Sequence, residues 1–388
     1  MSVAFQINFT LRALLRYALG FPTRRHVRRE KPLHIVFATV DHYEPGTGNV
    51  SEKIERERVD RLLRKYPELA SRHGDSFGNL PRRTWFFPPH YHRYFSLKKL
   101  VSLCEAGYGE IELHYHHGKA RPDTAENLKK GLRLTVNEYG QFGVFGTEKG
   151  VRKYAFIHGD WALNNSRGGR YCGVNDEITV LLETGCYADF TFPSLNPSNP
   201  AQINSIFYAR SQPSKPKGHN AGPPIEKNGP PRDGLLLIQG PVYPFFKTKS
   251  PAGLRLFGDA IDGDPPVTPK RIARWIATGI HVKGVPNVIF VKTHTHGAAY
   301  ESAVLGDEMD FILDFLETRF SDGEQFLLHY TTAREMYNMI KALEAGKNPA
   351  QLEKYRNFRI QEPVYDSSPQ IESASETLQR IVCSTYCD

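Results

Sequence analysis

The chain has 388 residues, of which 40% are hydrophobic and 24% charged, a balance typical of a globular protein that buries a large core without disulfides. Its five cysteines form no CxxC pair, so neither a disulfide framework nor a cysteine-based zinc site is expected. The formal net charge is +8, and residues 1–31 carry seven basic residues against Glu30 alone. The remainder is near neutral, which argues against a nucleic-acid-binding surface.

The basic N-terminal segment mixes apolar residues with Arg12 and Arg16. Because no apolar run reaches about 18 residues, no membrane-spanning helix is predicted, and the arginines also interrupt a signal-peptide core. Two interpretations stay open for this segment: an amphipathic helix on an anionic membrane surface, or a basic helix packed on the outside of the domain. We expect a cytoplasmic protein, which in the first interpretation contacts the inner face of the membrane.

Eight short segments rich in Val, Ile, Phe and Tyr are predicted to be buried strands. They are residues 33–40, 83–87, 109–116, 153–159, 187–192, 234–239, 287–293 and 325–330. Helical patterns fill several gaps between them, and Thr268 and Thr332 mark two helix starts. Alternating strands and helices indicate a parallel sheet, and eight such strands favour a (β/α) barrel over an open doubly wound sheet.

The same pattern predicts how the chain is divided. Residues 32–346 are expected to form one barrel domain, preceded by the basic segment 1–31. Residues 194–233 are rich in proline and glycine, and so long a loop in a compact domain is usually functional or disordered. Residues 347–388 are polar and are expected to be a peripheral tail.

Most of the 15 histidines fall at the C-terminal ends of predicted strands. They are His42, His90, His92, His114, His116, His117, His158, His294 and His296. In a (β/α) barrel these ends converge on the face that holds the active site. Two strand residues spaced i, i+2 point the same way, so the pairs 114/116 and 294/296 each offer two imidazoles to one space. Such pairs are typical of part of a zinc site, with Asp41 as a natural carboxylate ligand, or of polar, hydrogen-bonded histidines.

The segment GDWALNNS follows the fourth predicted strand. Trp161 offers an aromatic platform, and Asn164 and Asn165 offer amide donors, which together predict a loop that faces a sugar. The alternative is a surface turn without a ligand.

The order of these segments resembles the polysaccharide deacetylase (NodB-homology) superfamily over roughly residues 33–330. The matching segments are FATVDHYEP, RTWFFPPHYH, CEAGYGEIELHYHHG, FIHGDWALNNS and VIFVKTHTHG. Where the family has an Asp-Asp pair, this chain has Asp41 and His42, so that His42 or Glu44 must fill the second role. Where the family has HxxxH, His116 or His117 must replace the second histidine.

This resemblance implies a distorted (β/α) barrel of seven or eight parallel strands and a metal-dependent hydrolase that removes acyl groups from a glycan. It implies a divalent metal, zinc in our expectation, held by Asp41, His114 and His116. We expect Asp41, His296 and His158 to act in catalysis, with His296 as the acid. The residues expected to contact the glycan are Trp161, Asn164, Asn165 and His294. Two alternatives are a non-catalytic protein that binds glycans or assists polysaccharide assembly, and a metal-dependent hydrolase of another bond, such as a phosphoester.

Overall fold

The computed structural model describes residues 31–246, 254–262 and 266–387, together with Leu11, Leu14, Leu15 and Ala18. Apart from those four positions and Lys31, the basic segment 1–31 lies outside the described residues, and so do the two interpretations of it. Within the described part of the chain, no helix combines the length and the apolar character needed to cross a membrane.

The protein is an α/β protein with thirteen strands and nine α-helices in its described residues. The strands are β1 (Leu33–His42), β2 (Arg83–Phe87), β3 (Gly109–Tyr115), β4 (Thr147–Glu148), β5 (Val151–Arg152), β6 (Tyr154–His158), β7 (Cys186–Asp189), β8 (Ile206–Ala209), β9 (Leu235–Ile238), β10 (Tyr243–Phe246), β11 (Leu254–Phe257), β12 (Val288–Thr295) and β13 (Phe326–Tyr330). The helices are α1 (Glu52–Ala70), α2 (Phe95–Glu105), α3 (Ala125–Tyr139), α4 (Glu177–Glu183), α5 (Pro269–Ala277), α6 (Glu301–Leu305), α7 (Asp307–Phe320), α8 (Ala333–Glu344) and α9 (Glu376–Cys383). Thr268 and Thr332 cap α5 and α8, as the sequence predicts.

Nine of the strands form one mixed, mostly parallel sheet in the order β12-β1-β2-β3-β6-β7-β9-β8, with β13 paired to β1. All eight predicted strands are present. The ninth, β8, lies inside the predicted loop 194–233 and pairs antiparallel with β9. Its four apolar residues are too short a run to stand out among the surrounding prolines and glycines. No ladder joins β12 to β8 among the described strands.

Alternate residues of the strands pack into two separate cores, because successive side chains of a strand point to opposite faces. Ile35 and Phe37 of β1 belong to the larger core, beneath most of the helices. Val36 and Val40 of the same strand belong to the smaller core. The smaller core also takes residues from β2, β6, β7, β8, β9, β12 and α8. We call this odd–even alternation of residue numbers along a strand its parity. The parity of a residue at the end of a strand decides which face its side chain points to, and so which other side chains it can meet.

A buried ion pair fixes α8 to the sheet. Arg334 of α8 donates to both carboxylate oxygens of Glu110 on β3, with Nη2–Oε1 2.6 Å and Nε–Oε2 3.0 Å. Both side chains are at most 5% exposed, so the bidentate geometry compensates two desolvated charges.

Residues 347–387 are built into the body of the domain. Leu352 and Ile360 are buried in the smaller core, and α9 packs against α3 through Leu378 and Val382. The sequence of this segment is mostly polar and therefore does not indicate that it is packed against the domain. A short helix needs only a few apolar residues to bury one of its faces.

Candidate metal centre

Five strand-end histidines lie around one point at the carboxyl edge of the sheet. We call His42, His114, His116, His294 and His296 the strand-end cluster. The imidazole of His42 is central: its ring centroid lies 5.0 Å from those of His114 and His296 and 5.4 Å from that of His294. His42 shares the parity of Val36 and Val40, so it points to the smaller-core side of the sheet.

Glu44 joins two members of this cluster. Its Oε1 lies 2.9 Å from His116 Nε2 and 3.5 Å from His114 Nε2, and the two imidazole nitrogens lie 2.9 Å apart. Burial opposes ionisation of Glu44, but hydrogen bonds and charge from the two histidines outweigh it and hold the pKa of this carboxyl well below its usual range.

The other ring nitrogen of each histidine fixes its tautomer. His114 Nδ1 lies 2.9 Å from the Ile157 carbonyl, which can only accept, so Nδ1 carries a proton. His116 Nδ1 lies 3.2 Å from Asp160 Oδ2 and donates likewise. In the neutral rings both Nε2 lone pairs therefore face each other and Glu44 Oε1. Three electron-rich atoms at these distances require a cation between them, either a proton on His116 or a metal ion.

His294 and His296 are oriented in the same way by carboxylates. His294 Nδ1 lies 2.8 Å from Asp259 Oδ1, and His296 Nδ1 lies 2.7 Å from Asp262 Oδ2. Carboxylate-bound imidazoles of this kind present Nε2 outward, as ligand or as proton carrier. Asp262, His294 and His296 also place three ligand atoms within 4.8 Å of one another.

The carboxylate of Asp41 faces elsewhere. It is fully buried, accepts from Thr295, and lies 3.5 Å from Arg83 Nη1. Burial raises its pKa to about 6 in spite of the Arg83 charge. Among the described residues it belongs to none of the groups of ligand atoms within 4.8 Å of one another. The structure thus does not bring Asp41 to His114 and His116, and Glu44 occupies the place that we expected Asp41 to take.

Strand parity explains this difference. Asp41 has the parity of Ile35 and Phe37, which pack in the larger core, whereas His42 has the opposite parity. The signal was therefore present in the sequence, but it could be used only once the face of each β1 residue was known.

The expected sugar-facing residues separate into two kinds. The Trp161 ring lies 6.0 Å from those of His42 and His296, so it forms a wall of the strand-end cluster. Asn164 is fully buried, and its side chain holds the backbone at Asn175 and Gly218. Asn165 likewise bonds within its own loop. The two asparagines shape the loop rather than face a ligand.

His158 lies outside the strand-end cluster. It is fully buried in a second group, with His117, Cys172 and Glu177, whose ligand atoms lie within 4.8 Å of one another and could bind a metal ion. Sequence reasoning missed Cys172 and Glu177, because they come from a loop and a helix start that carry no recognisable spacing.

Two histidines outside both groups, His34 and His329, provide a contrast. His34 Nδ1 donates to His329 Nε2 at 2.9 Å, and His329 Nδ1 donates to Glu353 Oε1 at 2.6 Å. Here donors and acceptors alternate along the chain of contacts, so the pair is satisfied without a cation.

Comparison with known proteins adds no family to this description. No protein-family model matches the chain. No curated protein matches it at a significant level of similarity.

Proposed function

We propose that this protein is a divalent-metal-dependent hydrolase that removes acyl groups from a glycan. The observation that carries the proposal is the convergence of His114 Nε2, His116 Nε2 and Glu44 Oε1 on one point at the carboxyl edge of a mostly parallel sheet. Active sites of (β/α) folds lie at this edge.

The donor set fits zinc. Two imidazoles and one carboxylate, with a further position left open, are a ligand set of catalytic zinc sites. Zinc–nitrogen bonds of about 2.0–2.1 Å in a tetrahedron place ligand atoms about 3.3 Å apart, and the atoms here lie 2.9–3.5 Å apart. Asp160 and the Ile157 carbonyl supply the outer hydrogen bonds that orient metal-binding imidazoles.

A divalent metal bound there supplies a Lewis acid that activates water and polarises an acyl carbonyl. The remaining roles belong to the chain itself. His296 is held by Asp262 and its side chain is 24% exposed, so it can pass a proton to a leaving group. Trp161 closes one side of the cluster and offers a flat apolar surface to a sugar ring.

We also propose that the sheet curls into a distorted barrel. Side chains from β8 and β12, the two ends of the sheet order, pack in the same smaller core. The free edge of β12 is covered by residues 259–261, through His294 N to Asp259 O at 3.2 Å and Ile261 N to His294 O at 3.0 Å. The shared smaller core is the feature that supports a curled sheet.

The proposal is tested by acetate release from N-acetylated and O-acetylated oligosaccharides, with the zinc-loaded full chain. Parent protein is expected to release acetate, and His114→Ala is expected to lose activity while keeping its circular dichroism spectrum. His281→Ala is the matched control, because within the described part of the chain His281 bonds only to the Gly279 carbonyl, through Nδ1, and belongs to no ligand group. Glycan binding without release, or hydrolysis of phosphoesters alone, would overturn the proposal in favour of the two alternatives.

A further inference from the structure

We propose that His117, His158, Cys172 and Glu177 form a second metal site, of the structural type, which takes zinc. We call these four residues the buried group. It is separate from the strand-end cluster, and the inference is independent of the function proposed above. Each of the four residues is at most 2% exposed.

The four side chains converge from different parts of the fold. His117 follows β3, His158 ends β6, Cys172 lies in the loop after it, and Glu177 begins α4. His117 Nε2 lies 3.0 Å from His158 Nε2, and Glu177 Oε1 lies 3.1 and 3.2 Å from these nitrogens. These separations approach the distance of about 3.3 Å that is expected between two ligand atoms of a tetrahedral zinc ion.

Both imidazoles turn lone pairs inward. His117 Nδ1 lies 2.9 Å from Asp123 Oδ2, and His158 Nδ1 lies 2.5 Å from the Gly159 carbonyl. Each Nδ1 is therefore the donor, and the two Nε2 atoms meet as acceptors in the neutral rings. The satisfied pair of His34 and His329 shows that this chain can arrange two histidines without such a conflict.

The sulfur of Cys172 accepts from two backbone donors and also lies 3.3 Å from Glu177 Oε2. The backbone N–H groups of Asn165 and Val174 point at Sγ from 3.3 and 3.4 Å. Hydrogen bonds to the charged form of a group favour that form, and a thiolate is the form that binds metal. Cys172 is fully buried, so a thiolate there needs a positive partner within the group.

The ligand types select the metal. A thiolate with two imidazoles and a carboxylate suits zinc or cobalt, whereas magnesium and calcium prefer oxygen ligands alone. Four protein ligands fill a tetrahedron and leave no position for a substrate, which is the pattern of a structural site.

The site would hold the loop that carries Trp161. That loop runs between His158 and Cys172, two ligands of the buried group, and its backbone has positive φ at Asp160 and Trp161, 55° and 52°. Residues other than glycine rarely adopt this left-handed backbone region without support from the surrounding structure. One metal ion, bound by residues at both ends of the loop, would provide that support.

Cobalt substitution of the full chain tests the inference, because only a thiolate ligand gives sulfur-to-cobalt charge-transfer absorption in the near ultraviolet. The experiment uses a Cys383→Ser/Cys387→Ser background, since these two cysteines lie near His92. We expect that background to show the band. Adding Cys172→Ser should abolish it, with loss of one metal equivalent per chain. Cys186→Ser is the matched control, because Cys186 is buried on β7 and bonds the Ala188 carbonyl.

The result that would overturn the inference is a cobalt-loaded background protein without the charge-transfer band. This readout needs no variant of the buried group, so misfolding of Cys172→Ser cannot hide the answer. Retention of the band in His114→Ala would separate this site from the strand-end cluster, which contains no cysteine. Loss of the band in His114→Ala would contradict two independent sites.

Discussion

Asp160→Asn is the change that best probes how the strand-end cluster is held. The carboxylate of Asp160 accepts from His116 Nδ1 at 3.2 Å and is expected to keep that imidazole oriented and electron-rich. Asparagine is nearly isosteric and tolerates the positive φ of 55° at this position. The substitution therefore removes charge while the loop keeps its shape.

The size of the effect follows from the position of Asp160. Loss of an outer partner of a metal-bound histidine costs about 10–100-fold in metal affinity, or about 1.4–2.8 kcal/mol. The Asp160 side chain is 34% exposed, so solvent screens part of its charge. We accordingly expect the lower end, about 10-fold.

Calorimetric titration of the metal-free chain with zinc measures this change. The difference between the isotherms of the parent and His114→Ala defines the strand-end cluster, and Asp160→Asn should weaken that component alone. Asp233→Asn is the control, since Asp233 is exposed and its one ion-pair partner among the described residues is Arg210. Unaltered affinity in Asp160→Asn would refute the view that Asp160 orients a metal-binding imidazole.

Three further changes have distinct expected outcomes. His296→Asn should lower turnover roughly 10²–10⁴-fold with metal content unchanged, measured by steady-state kinetics and metal analysis; loss of metal would instead make His296 a ligand. Burial, and to a smaller extent the nearby His329, lowers the pKa of His34 to about 4. As the pH falls, this imidazole is therefore protonated in the unfolded chain before it is protonated in the folded one. Stability should therefore decline between about pH 6.5 and 4 by at most about 3 kcal/mol, and urea unfolding of His34→Gln should show a smaller decline; equal slopes would contradict this. Arg334→Met should lower the unfolding free energy by about 3–5 kcal/mol, because it leaves the Glu110 carboxylate buried without its ion-pair partner. The double variant with Glu110→Gln should recover much of this loss. An Arg334→Met protein as stable as the parent would contradict a stabilising role for the pair.

Local patterns in the sequence predict most of the sheet. A buried strand needs a short apolar run, and each predicted run is a strand whose residues fill one or both of the two cores. The strand β8 escaped prediction because its pairing with β9 depends on partners that are distant in sequence. Whether the sheet closes into a barrel depends on long-range geometry, to which no local pattern is sensitive.

The candidate site was predictable in its position and less so in its membership. The i, i+2 spacing of His114 and His116 predicts that both imidazoles lie on one side of the strand. In the structure their Nε2 atoms lie 2.9 Å apart. Residue 117 follows directly and turns to the buried group instead. His158 shares the parity of Tyr154 and Phe156 in the larger core, which is why it cannot reach the strand-end cluster.

The metal content of the purified chain and of His114→Ala/His116→Ala is the most direct test of the strand-end cluster as a metal centre. Both proteins are saturated with zinc, freed of excess and analysed by mass spectrometry, with circular dichroism to confirm the fold. The double variant is predicted to hold one equivalent of zinc less per chain than the parent. Equal zinc content in the two folded proteins would contradict the assignment of Glu44, His114 and His116 as ligands.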